Sequence, residues 1–146
     1  MTLNIRAASD TDEAHCLDMI ETLTGETRNS GWSATFEVLL SGRRGEMLVA
    51  DEEGALLGVL TVSYNLAIRY GGEYAQLEDL IVAPAARGKN IGGLLVEAAV
   101  ERARDRGCVE FGVYLVEATE HNRPFYKKYG FDYVGSELRR RLQELA

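Results

Sequence analysis

Cysteine, proline and long hydrophobic runs are scarce in this sequence of 146 residues. Its two cysteines, Cys16 and Cys108, have neither a metal-ligand nor a redox spacing, so no metal site or redox motif built on cysteine is predicted. Two prolines leave no proline-rich linker, and no apolar run approaches the roughly 18 residues of a membrane span. Residues 1–6 lack the apolar core of a signal peptide. We therefore expect a single cytoplasmic domain, residues 1–146, with no metal and no membrane partner.

Positive charge is also in the minority. The 16 Lys and Arg residues face 23 Asp and Glu residues, which gives a formal net charge of −7. This balance argues against a nucleic-acid partner and favours small cationic substrates. The basic clusters at 102–106 and 139–141 are predicted to be solvated surface, because the first lies in the last turns of a helix, where cations suit the dipole.

The hydrophobic pattern predicts a mixture of strands and helices. The expected elements are a strand at Leu3–Ala7, a helix from Ser9 to about Leu23, a helix at Ser33–Leu40, a hairpin of Glu46–Ala50 and Ala55–Ser63, a strand at Leu77–Val82, a helix from Ile91 to Arg106, a strand in Cys108–Val113, a short helix after Asn122 and a last strand at Phe131–Leu138. On the first helix Cys16 lies in step with other apolar residues, so we expect a small core side chain there.

A basic, glycine-rich turn at residues 83–93 joins an apolar strand to a helix. Such a turn aims unpaired backbone N–H groups and the positive end of a helix dipole at one point, which suits a phosphate group. Lys89 is followed by Asn90 rather than Ser or Thr, so a P-loop is not supported. The glycine spacing does not fit a dinucleotide fingerprint either. Taken alone, the turn is also compatible with a tight strand–helix connection that binds nothing.

The turn has the pattern Val-x-Pro-x-x-Arg-Gly-x-Gly-x-Gly or Ala, matched at Val82, Pro84, Arg87, Gly88 and Gly92. In this it resembles the GCN5-related N-acetyltransferases, the GNAT family, whose turn cradles the pyrophosphate of acetyl-CoA. Asn90 stands where that family usually has glycine, and Asn is the residue that next best tolerates a left-handed backbone. The resemblance implies an acetyl-CoA site formed by Leu80, Ile81, Val82, Arg87, Gly88, Lys89, Asn90, Ile91, Gly92, Gly93 and Asn122.

A second segment, about thirty residues downstream, also resembles the family. Asn122, Tyr126, Gly130 and Phe131 occupy the positions of its Asn, its helical Tyr and the Gly-Phe that enters its last strand. The two segments together extend the resemblance over nearly the whole chain. It implies an α/β (α+β) fold with a central, mostly antiparallel mixed sheet of about six to seven strands, flanked by about four helices.

Acetyl transfer to an amine needs a base and benefits from an acid. A primary amine near pKa 10 is protonated at pH 7 and cannot attack a thioester, and the CoA thiolate leaves more easily if it is protonated. By resemblance to members that read Leu-Glu-Asp, Glu78 would be the base, directly or through water, and Tyr126 the acid. Strand alternation places Glu78 on one face and Asp79 on the other, an assignment that a bulge would change.

Other roles for these residues stay open at this point. Glu78 and Asp79 could form local ion pairs at a strand end, and Tyr126 could simply pack its helix. His121 could be an alternative base but fits a surface or capping residue better.

The resulting hypothesis is direct transfer of acetyl from acetyl-CoA to a primary amine of a small molecule or peptide, without a covalent enzyme intermediate. The loop from Asn65 to Gly72 and the first two helices are expected to line the acceptor pocket, and a homodimer is expected through the last strand. The alternatives are a non-catalytic acetyl-CoA-binding module and a nucleotide-binding regulatory domain. The sequence does not identify the acceptor amine.

Overall fold

The computed structural model describes residues 2–144 and contains a five-stranded sheet with four α-helices in that part of the chain. The elements are β1 (Leu3–Ala7), α1 (Glu13–Thr24), α2 (Gly31–Leu40), β2 (Gly45–Glu52), β3 (Ala55–Ala67), β4 (Gly72–Val82), α3 (Ile91–Arg106), β5 (Phe111–Val113) and α4 (Arg123–Lys128). The predicted element order is confirmed as far as α4.

The strands follow one another across the sheet in the order β1-β2-β3-β4-β5. The first four are antiparallel, and β5 is parallel to β4, which it reaches through α3. Glu53 and Gly54 form the two-residue turn between β2 and β3, both with positive φ (52° and 91°), as the right-handed twist of a hairpin favours. The mixed, mostly antiparallel sheet of the expected fold is therefore confirmed.

Helices cover both faces of the sheet. Leu48 and Leu60 point to the side of α3, where they pack with Leu95, and the next residue along each strand, Val49 and Val59, points to the opposite side. There α1 and α2 contribute a second core that contains Cys16, Leu17 and Phe36. Cys16 is fully buried, as expected, and burial raises the pKa of its thiol to about 12.

The sheet has fewer strands than the six to seven predicted. The expected last strand, Phe131–Leu138, is wrong: residues 131–144 contain neither helix nor strand. The strand expected in Cys108–Val113 is shorter, because the Cys108 amide closes the C-terminus of α3 by donating to Ala103 O at 2.9 Å. Apolar alternation indicates that a segment suits a sheet, but a strand also needs a neighbour for its backbone.

No helix within residues 2–144 is both long and apolar enough to cross a lipid bilayer.

Candidate active site

The pairing between the strands β4 and β5 stops before β4 ends. They pair only between Ala75–Leu77 and Phe111–Val113, whereas β4 continues to Val82. The outer edge of residues 78–82 thus has no strand beside it in the described part of the chain. Its outward N–H and C=O groups can pair with an extended ligand, as an added strand would. This gap between β4 and β5 is a candidate cleft for a ligand.

The glycine-rich turn lies at the C-terminal end of this open edge. Asn90 precedes α3 with φ 58° and ψ 31°, so it adopts the left-handed backbone expected of it. The first helical hydrogen bond is made by Leu94, whose amide donates to Asn90 O at 3.0 Å. The amides of Ile91, Gly92 and Gly93 are therefore without helical acceptors, and together with the helix dipole they suit an anion.

Side chains around the turn differ in how freely they could reach a ligand. Arg87 is exposed and forms no ion pair with any residue from 2 to 144, whereas Lys89 lies 3.4 Å from the carboxylate of Glu52. Ile81 and Ile91 are buried in the core, so only their backbone can face the cleft. The structure thus brings the predicted acetyl-CoA residues of the strand and turn together along one path; Asn122 lies apart from them in sequence, at the N-cap of α4.

Tyr129 is a contact of the turn that sequence reasoning missed. Its hydroxyl donates to Oδ1 of Asn90 at 3.0 Å, and a Cβ at Gly93 would overlap that hydroxyl. The Asn90 side chain thus has a partner of its own, beyond the backbone conformation for which it was singled out. Nothing in the local sequence signals a pair 39 residues apart.

A β-bulge interrupts β4 at Glu78. Thr61 of β3 lies opposite Asp79 and the next residue, Val62, lies opposite Leu77, so Glu78 is left without a partner. Because the bulge consumes one residue, Leu77 and Leu80 both face α3, while Asp79 faces α1 and α2 with Ile81. Strict alternation would place Leu77 on the face of Asp79 and Ile81, and the bulge moves Leu77 to the opposite face.

The two carboxylates at the bulge have separate partners. Glu78 is exposed and accepts a hydrogen bond from Ser63 Oγ at 2.7 Å, and Asn65 Nδ2 donates to the same Oγ at 3.1 Å. Asp79 accepts from Thr61 Oγ1 at 2.6 Å, and Thr61 is buried. Neither carboxylate forms a salt bridge with a residue that the structure describes, so both can receive a cationic ligand.

A cavity of about 340 Å³ lies between the sheet and the first two helices. Thr61 and Asp79 line it on the sheet side, and Trp32 and Phe36 line it from α2. The first two helices thus line this cavity, and their role in an acceptor pocket stays a prediction. The loop from Asn65 to Gly72 does not line it, because residues 65–67 belong to β3 and residues 68–70 form a 3₁₀ turn.

Tyr126 lies on the other face of the sheet, in the core that includes α3. It is 7% exposed, and its ring packs edge-on against Phe125 and Phe131 with centroids 5.0 and 5.7 Å away. Burial raises the pKa of its phenol, and no hydrogen-bond partner of its hydroxyl is found among residues 2–144. Tyr126 also lines a second cavity of about 480 Å³, which lies between α4, the end of β5 and residues 131–137.

Residues 13–131 match the family described as "Acetyltransferase (GNAT) family". The chain belongs to this family. Membership of the family identifies the chain as an acyltransferase. It confirms the resemblance found in the sequence, and with it the GNAT fold and acetyl-CoA as co-substrate. Among the residues described, no group of three or more His, Cys, Asp or Glu side chains could hold a metal ion.

Curated relatives of this GNAT chain act on different amines. It is 35% identical over 103 residues to glucosamine 6-phosphate N-acetyltransferase 1 of Oryza sativa subsp. japonica, an alignment that covers 67% of this chain and 60% of the rice protein. It is 34% identical to aminoglycoside N(6')-acetyltransferase type 1 of Klebsiella aerogenes, over 73% of this chain and 74% of that protein.

A solved aminoglycoside N-acetyltransferase in complex with CoA shares the GNAT fold of this chain, with a TM-score of 0.83 at 18% identity. That comparison covers 97% of this chain and 95% of the other.

Proposed function

We propose that this GNAT chain transfers the acetyl group of acetyl-CoA directly to the primary amine of a small molecule or peptide. The observation that carries the proposal is the open edge of residues 78–82, which leads straight into a turn with unpaired amides. An extended chain with amide groups and a pyrophosphate, as CoA has, matches both parts of this path.

In this proposal the turn holds the pyrophosphate. The amides of Ile91 to Gly93 donate to its oxygens, and Arg87 supplies a charge that no acidic side chain in residues 2–144 neutralises. The hydrogen-bonding groups of the β4 edge orient the amide-bearing arm, so that the thioester comes to the bulge. Acetyl-CoA itself supplies the activated acetyl group.

The two carboxylates at the bulge, Glu78 and Asp79, have different roles toward the amine in this proposal. Asp79, which faces the cavity under α1 and α2, binds the ammonium of the acceptor. Glu78 accepts the proton of the ammonium group, directly or through water. The exposed carboxylate of Glu78 is oriented by Ser63, and Glu78 is the residue next to Asp79 in the strand. Deprotonating an amine of pKa about 10 at pH 7 costs roughly 4 kcal/mol, which a placed carboxylate and a desolvated site can supply.

Tyr126 acts on the departing thiolate. It belongs to the α3 side of the sheet, and Asp79 to the side of α1 and α2, so in this proposal the leaving group and the amine are approached from opposite faces of the sheet. Its raised pKa keeps the proton on the phenol until the thiolate forms.

We also propose a homodimer that uses residues 131–144. This segment exposes Val134, Leu138 and Leu142 at 96%, 96% and 86%, and it pairs with no strand of residues 2–144. Its backbone groups are available to a second copy. Light scattering at high micromolar concentration checks this, and a mass of one chain contradicts it.

Three further expectations stay predictions: that residues 1–146 form one domain, that the protein is cytoplasmic, and that no nucleic acid is a partner.

The test of the function is an acceptor screen that measures thiol released from acetyl-CoA, run beside calorimetric titration of acetyl-CoA into the protein. We expect submillimolar binding and amine-dependent thiol release. Binding without release for every amine would support the non-catalytic module instead, and binding of ATP or NAD in preference to CoA would support a nucleotide-binding domain.

A further inference from the structure

We propose, on the basis of the acetyl transfer proposed above, that the acceptor is a primary amine on an apolar body. The chemical class is an alkylamine or arylalkylamine that carries neither phosphate nor several hydroxyl groups. The proposal rests on the cavity between the sheet and the helices α1 and α2, which Asp79 enters from the bulge of β4.

The charges that line the cavity are all negative. Asp79 lies at its sheet side and Glu26 at its rim, and no Lys, Arg or His is among its lining residues. An ammonium group therefore finds a counter-charge, whereas a phosphate or carboxylate would meet only like charge. Asp79 is fixed by its hydrogen bond from Thr61, so it marks where the ammonium binds.

A nearby cation does not change this balance. The Arg28 guanidinium lies 6.0 Å from the centre of the Trp32 ring but forms salt bridges with Asp18 and Glu21 at 2.6 and 3.2 Å. Its charge is thus already neutralised by two carboxylates, and it does not line the cavity. A phosphorylated amino sugar would have to break these pairs to find a cation.

The walls of the cavity are mainly apolar. Six of the eleven lining side chains are aliphatic or aromatic, so a substrate body in contact with them gains from apolar surface. Sugar hydroxyls placed there would lose their hydrogen bonds to water without replacement. The apolar lining consists of Leu17, Ile20, Trp32, Phe36, Leu39 and Met47.

The size of the cavity limits the body to a small one. A volume of about 340 Å³ is at the lower end of the roughly 300–1,000 Å³ of ligand pockets. Trp32 is the half-buried aromatic of the set and borders the entrance beside the exposed Thr35, whereas Phe36 is 2% exposed and belongs to the floor. Trp32 can therefore be changed with less damage to the core than Phe36.

The test compares 2-phenylethylamine, hexylamine, glucosamine and glucosamine 6-phosphate as acceptors, with released thiol as the readout. We expect kcat/KM for 2-phenylethylamine to exceed that for glucosamine 6-phosphate by about 100-fold or more, since the phosphate would meet like charge and the hydroxyl groups would lose their hydrogen bonds to water. Equal or better use of glucosamine 6-phosphate overturns the inference about the acceptor but leaves acetyl transfer standing. No thiol release with any of the four amines, in protein that binds acetyl-CoA, also overturns the inference about the acceptor, and the wider acceptor screen described above then tests acetyl transfer itself.

A pair of variants at the entrance tests where the body binds. Trp32→Ala should raise KM for 2-phenylethylamine about 10-fold, while Trp32→Phe, which keeps an aromatic face, should stay within about 2-fold of the parent. The dissociation constant of acetyl-CoA, measured by calorimetry, should be the same in both variants and shows that they are folded. A KM unaffected by Trp32→Ala would mean that the substrate body does not occupy this cavity, and the inference would be withdrawn.

Discussion

Tyr129 donates its hydroxyl hydrogen to Oδ1 of Asn90 over 3.0 Å, and this bond joins the end of α4 to the turn before α3. The turn and the helix that carries Tyr126 are thus held in one arrangement. The contact passes over Gly93, where any larger residue would overlap the Tyr129 hydroxyl. This side-chain hydrogen bond thus connects the proposed pyrophosphate site with the helix that carries the proposed acid, Tyr126.

We expect Tyr129→Phe to weaken acetyl-CoA binding by about 1 kcal/mol, because one neutral hydrogen bond that orients the turn is lost. Calorimetry measures the change. Asn90→Gly removes the same bond but relieves the left-handed backbone, so its binding should stay within a few-fold of the parent. In the double variant the two effects should not add, since either change alone breaks the contact. Strict additivity would show that the bond has no part in binding.

Replacing Arg87 with Ala should weaken acetyl-CoA binding by about 1–3 kcal/mol, the range of a charge-assisted hydrogen bond. Arg104→Ala is the matched control, because Arg104 lies in the last turn of α3, far from the glycine-rich turn that precedes this helix, and pairs with Glu101 on the surface. Titration calorimetry at two salt concentrations separates a direct contact from a general charge effect. An unchanged dissociation constant in the Arg87 variant would remove this residue from the site.

Changes at the bulge separate the two carboxylates by their kinetic signatures. Glu78→Gln should lower kcat by about 10² to 10⁴ and flatten the acidic limb of the pH profile, because the proton acceptor is gone. Asp79→Asn should act mainly on the KM of the amine, because it removes the counter-charge of the ammonium. If the large loss of kcat follows the Asp79 change and the Glu78 change has little effect, the two roles are exchanged.

Tyr126→Phe should lower kcat by about 10² to 10⁴ while it leaves acetyl-CoA affinity nearly intact. The variant should lose the basic limb of the pH profile. Because burial raises the pKa of this phenol, that limb lies above the usual tyrosine range of about 10. The readout is kcat from pH 6 to the alkaline limit of stability. A basic limb that persists in the variant would assign it to another group.

Acid should unfold the protein in part through Asp12, which binds Arg6 at 2.7 Å and has its pKa lowered to about 2 by this partner. A depressed folded-state pKa gives stability above the unfolded value of 3.8 that is lost as pH falls toward 2. Asp12→Asn should therefore cost about 2 kcal/mol at pH 7 and almost nothing near pH 2. Urea unfolding at several pH values measures this, with the exposed Asp18→Asn as control.

Local sequence determined most of the elements, apart from the last two predicted strands, and the conformation of the glycine-rich turn. The hairpin at residues 51–54, the ends of α3 and the left-handed Asn90 follow from backbone preferences of a few neighbouring residues, and those preferences act before any tertiary contact forms. The same local pattern brings together the strand and turn residues that are predicted to bind acetyl-CoA, since a strand, a turn and a helix that are consecutive in sequence need no distant partner to come together.

Only the tertiary structure decided which face of the sheet each side chain of β4 occupies and which distant residues contact each other. Which way Glu78 and Asp79 point depends on a bulge whose register is set by β3, through the pairing of Thr61 with Asp79 and of Val62 with Leu77. These partners are 18 and 15 residues apart in the sequence. Tyr129 reaches Asn90 only because α4 packs against the start of α3. Whether residues 131–138 become a strand depends on a neighbour that the rest of residues 2–144 does not provide, and a backbone hydrogen bond needs both of its ends.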